Sequence, residues 1–147
     1  MERTKFKNSR NRTTLQLTES FTHIHEVWSW LLAEECVRLG IKDICIAPGS
    51  RSTPLTLAFA KEKRINKHVH IDERGLGFYA HGIAKSTQRT VAILTTSGSA
   101  VANLYPAILE AKYSHTPLLI ITADRPPELQ SCHANQTINQ YEIFEKN

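Results

Sequence analysis

Three charged residues, Asp72, Glu73 and Arg74, follow the short apolar stretch HVHI at residues 68–71. If this stretch is a buried strand of a parallel sheet, the charges stand at its carboxyl end, where ligands bind in open α/β sheets. Glu73 is then placed to act as an acid or a base on a bound ligand. The alternative is that Asp72 caps the following helix, and that Glu73 and Arg74 are solvated surface charges.

Three further loops rich in small and polar residues also follow apolar stretches. PGSRS (48–52) contains an arginine that suits a carboxylate or a phosphate, but it also fits an ordinary turn with Ser52 or Thr53 as a helix cap. TSGSA (96–100) precedes a helical run and predicts either a cradle of backbone N–H groups for an anion or a simple cap. ADRPPE (123–128) predicts either a second anion-binding arginine or a stiff surface turn.

The elements that position these loops alternate along the chain. The sequence predicts strands at 41–47, 68–71, 90–96 and 117–123, and helices at 18–40, 55–64, 76–87 and 100–114. Uniformly apolar strands that alternate with helices indicate a parallel sheet with helices on both faces, which is a doubly wound α/β fold. The carboxyl ends of all four strands, and the four loops with them, then meet at one edge of the sheet.

Finer features of the helices are also predicted. Thr18 or Ser20 would cap the first helix and Gly40 would end it. Pro106 indicates a kink or a short first turn in the fourth helix. Residues at three-to-four spacing predict the buried face of the first helix: Val27, Trp30, Leu31, Glu34, Cys36 and Val37.

Composition narrows the function classes. No apolar run in the 147 residues approaches the ~20 that a membrane-spanning helix needs. Cys36, Cys45 and Cys132 are widely spaced and form no C-x-x-C pair, so a disulfide framework or zinc site is not expected. Cys36 and Cys45 fit small core residues, and the compartment is predicted to be reducing and cytoplasmic. No pair of histidines has metal-ligand spacing on one helix, so no metal site is expected.

The net charge of +4 lies partly at the amino terminus, where residues 1–12 carry five Lys or Arg and one Glu. We expect residues 1–20 to be a disordered basic tail and residues 21–147 to be the folded domain. Such a tail also suits an anionic partner or a targeting peptide. No aromatic interleaving or second basic face supports a nucleic-acid partner, and none is expected.

In their order and spacing, the four loops resemble one family. CIAPGSRSTPLTLA, HIDERGLGFYAHGIAK, TSGSAVANLYPAILEA and LIITADRPPELQSCHANQ resemble the amino-terminal domain of the MenD family, the 2-succinyl-5-enolpyruvyl-6-hydroxy-3-cyclohexene-1-carboxylate synthases. These are thiamine-diphosphate enzymes. The resemblance covers about residues 22–140. Ser99 and His133 depart from it, where the family pattern has Thr and Gly.

The resemblance implies a transferase of menaquinone (or phylloquinone) biosynthesis. It would decarboxylate 2-oxoglutarate on thiamine diphosphate and add the succinyl-semialdehyde carbanion to isochorismate. Glu73 matches the acid that activates the cofactor through a nitrogen of its pyrimidine ring, and Thr96 and Ser97 are expected at the same cofactor. The implied substrate contacts, with the arginines as carboxylate clamps, are Ser50, Arg51, Arg125, Asn135 and Gln136.

Members of this family are several hundred residues long and have three domains. The resemblance implies that a carboxyl-terminal domain holds the diphosphate and Mg²⁺ through a G-D-G…N motif, and that subunits of a homodimer or tetramer share each site. No G-D-G occurs here. We therefore expect an amino-terminal fragment or a truncated product that holds half of a site, binds thiamine diphosphate weakly at most and is inactive alone.

Two other interpretations remain. The pyrimidine domain of another thiamine-diphosphate decarboxylase, such as an acetolactate-synthase-like enzyme, would share the fold and the glutamate. The arginines of PGSRS and ADRPPE favour a dicarboxylate substrate instead. A non-catalytic α/β nucleotide-binding or interaction module is compatible with the fold. The missing P-loop and G-x-G-x-x-G patterns disfavour it.

Overall fold

The computed structural model describes residues 21–130 and 132–145. The expected tail, with the caps Thr18 and Ser20, lies outside this part of the chain. Four parallel strands form one sheet in the order β2-β1-β3-β4. Their bounds are Asp43–Ile46 (β1), Asn66–Val69 (β2), Val91–Thr95 (β3) and Leu118–Thr122 (β4).

Helices cover both faces of this sheet. Their bounds are Ile24–Arg38 (α1), Thr53–Lys61 (α2), Glu73–Thr87 (α3), Ser99–Ala102 (α4) and Tyr105–Tyr113 (α5). α1 packs with α2 on one face, and α3 packs with α5 on the other. The doubly wound α/β fold is therefore confirmed. In the described part of the chain, no helix is both long enough and apolar enough to cross a membrane.

The core has two halves, one on each face of the sheet formed around β1 and β3. Ile44 and Ile46 of β1 point towards α1 and α2, while Cys45 and Ala47 point towards α3. This alternation follows from the two-residue period of a strand. Because β1 and β3 are covered on both faces and paired along both edges, all their residues are buried. Their mostly apolar sequences reflect this placement, and the buried carboxylate of Asp43 at the start of β1 is paired with His68 and Arg89.

β2 departs from its prediction as a buried strand at 68–71. It comprises Asn66–Val69 and, within the described ranges, pairs only with β1, so one of its edges carries no described strand. Val69 is 63% exposed and Ile71, beyond the end of the strand, is 90% exposed. Apolar composition alone predicted burial here, whereas the position of the strand in the sheet leaves it partly uncovered.

The buried face of α1 also differs from its prediction. Cys36 is buried as expected, and so are Ser29 and Ala33, while Leu31 lies at the surface. Small residues at these positions let the helix approach its neighbours closely. Glu34 is half-buried and forms an ion pair with Arg64, and Val37 packs against the core as predicted. The end of the helix at Gly40 agrees with its prediction, since Gly40 has a φ of +81°.

The first, second and fourth predicted helices have different bounds from those expected. α1 begins at Ile24, after the N-cap residue His23, whereas the prediction began it at residue 18. α2 ends at Lys61 because the carboxylate of Glu62 accepts hydrogen bonds from Arg64, including one of 2.8 Å from its backbone N–H. These bonds lower the pKa of Glu62. The fourth helix is divided into α4 and α5. Pro106 lies in the first turn of α5, where its missing N–H costs no helical hydrogen bond.

Candidate functional site at the carboxyl edge of the sheet

The loops that leave the carboxyl ends of the strands, here called the exits, lie side by side in the spatial order β2, β1, β3, β4. The chain leaves β1 towards β2 on one side and leaves β3 towards β4 on the other. The connections therefore diverge between β1 and β3, and a crevice at such a switch point is where open α/β sheets bind ligands. We define the crevice by the two loops that border it, Gly49–Ser52 after β1 and Thr96–Ser99 after β3.

The floor of the crevice is a close contact between Gly49 and Thr96. A Cβ atom added to Gly49 would lie 2.3 Å from the Cβ of Thr96, so only glycine fits there. Thr96 is 3% exposed, and its Oγ1 has no hydrogen-bond partner among the described residues. An orphaned buried hydroxyl is costly and requires an explanation, such as a ligand that satisfies it.

Glu73 is the first residue of α3, so the helix begins three residues earlier than predicted. Asp72 caps it, since its Oδ1 accepts hydrogen bonds of 2.8 Å from the N–H of Arg74 and 3.2 Å from that of Gly75. The capping interpretation of Asp72 is therefore right. The half-buried carboxylate of Glu73 forms no hydrogen bond or ion pair with any described residue. It remains available to a ligand.

The loop after β1 leaves two side chains free. The hydroxyls of Ser52 and Thr53 donate to the carbonyls of Gly49 and Ser50, at 3.0 and 2.7 Å, and neither side chain caps α2. Ser50 and Arg51 are exposed, and their side chains bond to no other residue in the described ranges. The loop thus presents a hydroxyl and an unpaired guanidinium beside the crevice.

The loop after β3 is occupied by the carboxyl-terminal part of the chain. The hydroxyl of Ser97 donates to the carbonyl of Gln136 at 2.9 Å. The N–H of Gly98 donates to the side-chain oxygen of Gln140 at 2.8 Å. This N–H is therefore not available to an anion, and no side chain caps α4. A cradle formed by the other N–H groups of the loop stays a prediction.

Arg125, after β4, holds the same part of the chain. Its Nε donates to the backbone carbonyl of Asn135 at 3.0 Å, and its Nη2 contacts the same oxygen. The guanidinium therefore keeps only some of its donors for a ligand. The side-chain amides of Asn135 and Gln136 are exposed and form no hydrogen bond within the described chain.

The candidate residues thus fall into two sets. Ser97, Arg125, Asn135 and Gln136 are joined by hydrogen bonds across the exits of β3 and β4. Glu73, Ser50 and Arg51 stand at the neighbouring exits, with no direct bond to that set or to one another in the described structure. Gln140 was missed by the sequence analysis, because it lies in a polar, irregular stretch without a motif. In the described ranges, no three His, Cys, Asp or Glu side chains are grouped as metal ligands.

Comparison with known proteins adds the decisive observation. Residues 28–143 match the family of the thiamine pyrophosphate enzyme N-terminal TPP binding domain. The chain belongs to this family. The match spans α3 with Glu73 and all four exits, so it includes both sets of candidate residues. The resemblance of these loops to a thiamine-diphosphate enzyme is confirmed at the level of the domain.

Individual relatives have more specific names. The chain is 58% identical over 127 residues to a 2-succinyl-5-enolpyruvyl-6-hydroxy-3-cyclohexene-1-carboxylate synthase of Shewanella halifaxensis, a match covering 86% of this chain and 22% of the relative. It is 57% identical over 127 residues to the synthase of Shewanella oneidensis, a match that also covers 86% of this chain and 22% of the relative. For Shewanella frigidimarina the identity is 60% over 80% of this chain and 20% of the relative. The chain therefore spans about a fifth of the length of these TPP-family relatives.

Proposed function

We propose that this chain is the pyrimidine-binding domain of a 2-succinyl-5-enolpyruvyl-6-hydroxy-3-cyclohexene-1-carboxylate synthase. The synthase would be a transferase of menaquinone biosynthesis that uses thiamine diphosphate, 2-oxoglutarate and isochorismate. One observation carries the proposal: a half-buried glutamate with no partner among the described residues stands at a strand exit, in a chain that is 58% identical over 127 residues to such a synthase.

Two features of the structure fit the pyrimidine end of the cofactor. The unpaired carboxyl group of Glu73 can share a proton with a ring nitrogen, and the orphaned hydroxyl of Thr96 can satisfy a polar group that enters the crevice. When bound, thiamine diphosphate supplies an acidic carbon that reacts with the oxo group of a 2-oxo acid. Glu73 would hold the proton that controls this acidity. Thr96 and Ser97 would form the inner wall of the cofactor site.

The diphosphate and Mg²⁺ would be held outside this chain. Its similarity covers only 22% of the synthase from Shewanella halifaxensis, so most of that relative has no counterpart here. We propose that a further domain supplies these contacts, and that a second subunit of a cytoplasmic homo-oligomer completes each site. Glu73 would then face a cofactor that is anchored elsewhere.

The substrate contacts would come from the remaining exits. 2-Oxoglutarate and isochorismate each carry two carboxylates, which arginine binds in bidentate fashion. Arg51 is the freer of the two arginines, since Arg125 already bonds to the carbonyl of Asn135. Ser50 and the exposed amides of Asn135 and Gln136 would orient substrate oxygens. Arg125 would contribute both a remaining N–H and the position of those amides.

The replacement Glu73→Gln in the complete synthase tests the cofactor role. Glutamine keeps the shape of glutamate but cannot donate or accept the proton in the same way. We expect kcat to fall by about a hundredfold or more, the range of acid–base effects. The matched control is Asp72→Asn, since asparagine also caps helices. It should leave kcat nearly unchanged, and an equal loss in both variants, or none in Glu73→Gln, would refute the proposed role.

The chain by itself provides a second test. Because the diphosphate contacts are proposed to lie elsewhere, the 147-residue chain should show no turnover of 2-oxoglutarate with isochorismate. Calorimetry should detect weak binding of thiamine diphosphate at most. Turnover by the isolated chain would contradict the proposal that it holds only half of the site.

A further inference from the structure

The chain crosses the exits of β3 and β4 with a segment that we call the strap, residues 133–145. One side-chain amide of the strap, that of Gln140, bonds to both exits. Its Oε1 accepts the N–H of Gly98 at 2.8 Å, and its Nε2 donates to the carbonyl of Ala123 at 3.0 Å. The carbonyl and the amino group of a single planar amide thus connect the two loops.

The other attachments of the strap near the crevice involve its backbone. Ser97 and Arg125 donate to the carbonyls of Gln136 and Asn135. Gly98 lies so close to the strap that an added Cβ would be 2.7 Å from the carbonyl oxygen of Gln136. Since the protein holds Asn135 and Gln136 by their backbone, the two side-chain amides are left to meet a ligand.

The conformation of Gln136, like those of His133, Glu142 and Glu145 in the same strap, is one that neighbouring contacts must hold. Its φ is +55°, in the left-handed region that residues other than glycine disfavour. Such a conformation persists only where surrounding contacts enforce it. The contacts at hand are those of Ser97 and Gly98 with its carbonyl, four residues before the bridge made by Gln140.

We propose that Gln140 is a positioning residue that sets the placement of the Asn135 and Gln136 side chains over the crevice. This inference rests on the proposed function, in which those two amides contact the substrate. Gln140 itself does not reach the substrate. It fixes the distance between the β3 exit and the strap, because its amide must satisfy Gly98 and Ala123 together.

The first test measures the strap itself in the 147-residue chain. Gln140→Met keeps the length of the side chain but removes both hydrogen bonds. We expect amide hydrogen exchange at Gly98, followed by NMR, to become at least about tenfold faster, because that N–H loses its acceptor. Cleavage of the strap by a protease should also accelerate. Unchanged exchange at Gly98 would overturn the proposal.

Gln140→Glu keeps the size of the side chain and changes only its hydrogen bonding, so it separates these two effects. A protonated carboxyl group can accept from Gly98 and donate to Ala123, as the amide does, whereas a carboxylate cannot donate. The carboxylate still accepts from Gly98, so above its pKa this variant loses only the bond to the carbonyl of Ala123. Protease cleavage of the strap, expressed relative to wild type at the same pH, should therefore slow towards the wild-type rate as pH falls. Charged groups nearby are Glu142 and Glu145, which line the same cavity, and Asp124 and Arg125 after β4. These charged groups are common to the variant and the wild type, so the difference between their pH responses reports on residue 140.

The matched control for this series is Gln88→Glu. Gln88 also donates its side-chain amide to a backbone carbonyl, that of Lys85 at 2.7 Å, but it lies at the far end of α3. Gln88→Glu should show no pH-dependent change in cleavage of the strap relative to wild type. The same pH response in the Gln88 and Gln140 variants would overturn the assignment to Gln140.

The second test is kinetic and uses the complete synthase. Gln140→Met should raise KM for the substrates by about tenfold or more with kcat within about threefold, since displaced binding groups weaken productive binding. A fall in kcat at unchanged KM would indicate only a loss of folded enzyme and would overturn the proposal. If Glu73→Gln also kept full activity, the proposed function would fail, whereas the exchange experiment on the chain would still decide whether Gln140 holds the strap.

Discussion

At the scale of single residues, Asp72 and Glu73 show how the backbone divides roles between adjacent carboxylates. Asp72 precedes the helix, so its side chain turns back to the N–H groups of Arg74 and Gly75. Glu73 is already helical and has no such partner in the described chain. The sequence suggested capping and chemistry as alternatives for this stretch. The structure assigns the cap to one residue and leaves the other free, so the two roles are compatible.

Gly49 is the residue whose side chain would most directly obstruct the crevice. In Gly49→Ala the new methyl group would overlap Thr96, with 2.3 Å between the two Cβ atoms. We expect the free energy of unfolding to fall by about 1–3 kcal/mol, as for other overpacked sites. Urea denaturation at neutral pH measures the change.

Gly82→Ala provides the matched control, because Gly82 lies within α3 and an added Cβ meets no atom within 4 Å. Alanine favours the helix over glycine by about 0.5–1 kcal/mol, so this variant should be more stable than wild type. If both variants were stabilised, the close approach of the β1 and β3 exits would be incorrect.

At the scale of secondary-structure elements, the central strands were the most predictable. β1 and β3 are covered on both faces and paired along both edges, so burial and apolar composition coincide. β2 was predicted as buried from its apolar composition. It lies at the edge of the sheet, and no local sequence pattern encodes the order of the strands. The α1 face was only partly predicted, because small residues such as Ser29 and Ala33 also pack in the core, while Leu31 remains at the surface.

In the loops too, features that follow from the strands alone could be predicted, and contacts between distant residues could not. The meeting of four exits at one edge could be predicted, because it follows from parallel strands alone. The bonds of Gln140 to Gly98 and Ala123 could not, since they join residues 42 and 17 positions apart in the chain. No sequence spacing indicates which amide of a polar stretch will reach the β3 exit.

The start of α3 is the element whose stability bears most directly on Glu73. Asp72→Ala removes the cap and leaves the N–H groups of Arg74 and Gly75 without their acceptor. We expect a loss of about 1 kcal/mol in the free energy of unfolding, measured by urea denaturation. Asp72→Asn should restore most of it, because asparagine caps equally well. An equal loss in both variants would show that the negative charge, rather than the cap, matters.

At the scale of the whole molecule, the sheet buries two thiols on opposite sides. Cys36 lies in the half of the core under α1 and α2, and Cys45 lies in the half under α3. Cys132 is exposed, and all three are free. The prediction that Cys36 and Cys45 are core residues is therefore confirmed. Burial raises the pKa of both, and that of Cys45 rises to about 12, with a smaller contribution from the charge of Asp43.

This burial predicts a loss of stability at alkaline pH. Below pH 9.0, the ordinary thiol pKa, Cys45 keeps its proton in both the folded and the unfolded chain. As pH rises from about 9 to about 12, the unfolded chain releases this proton while the folded chain retains it. The unfolded state is then favoured, so the free energy of unfolding should fall with rising pH. Urea denaturation across this range measures the slope.

Cys45→Ala should make that slope shallower, although the smaller side chain lowers stability at every pH by leaving a cavity. Cys132→Ala is the matched control: it removes an exposed thiol and disturbs neither half of the core, so the wild-type slope should persist. The other ionisable groups are common to all three proteins and cancel in the comparison. Equal slopes for wild type and Cys45→Ala would mean that Cys45 is accessible to solvent, contrary to its position inside the sheet.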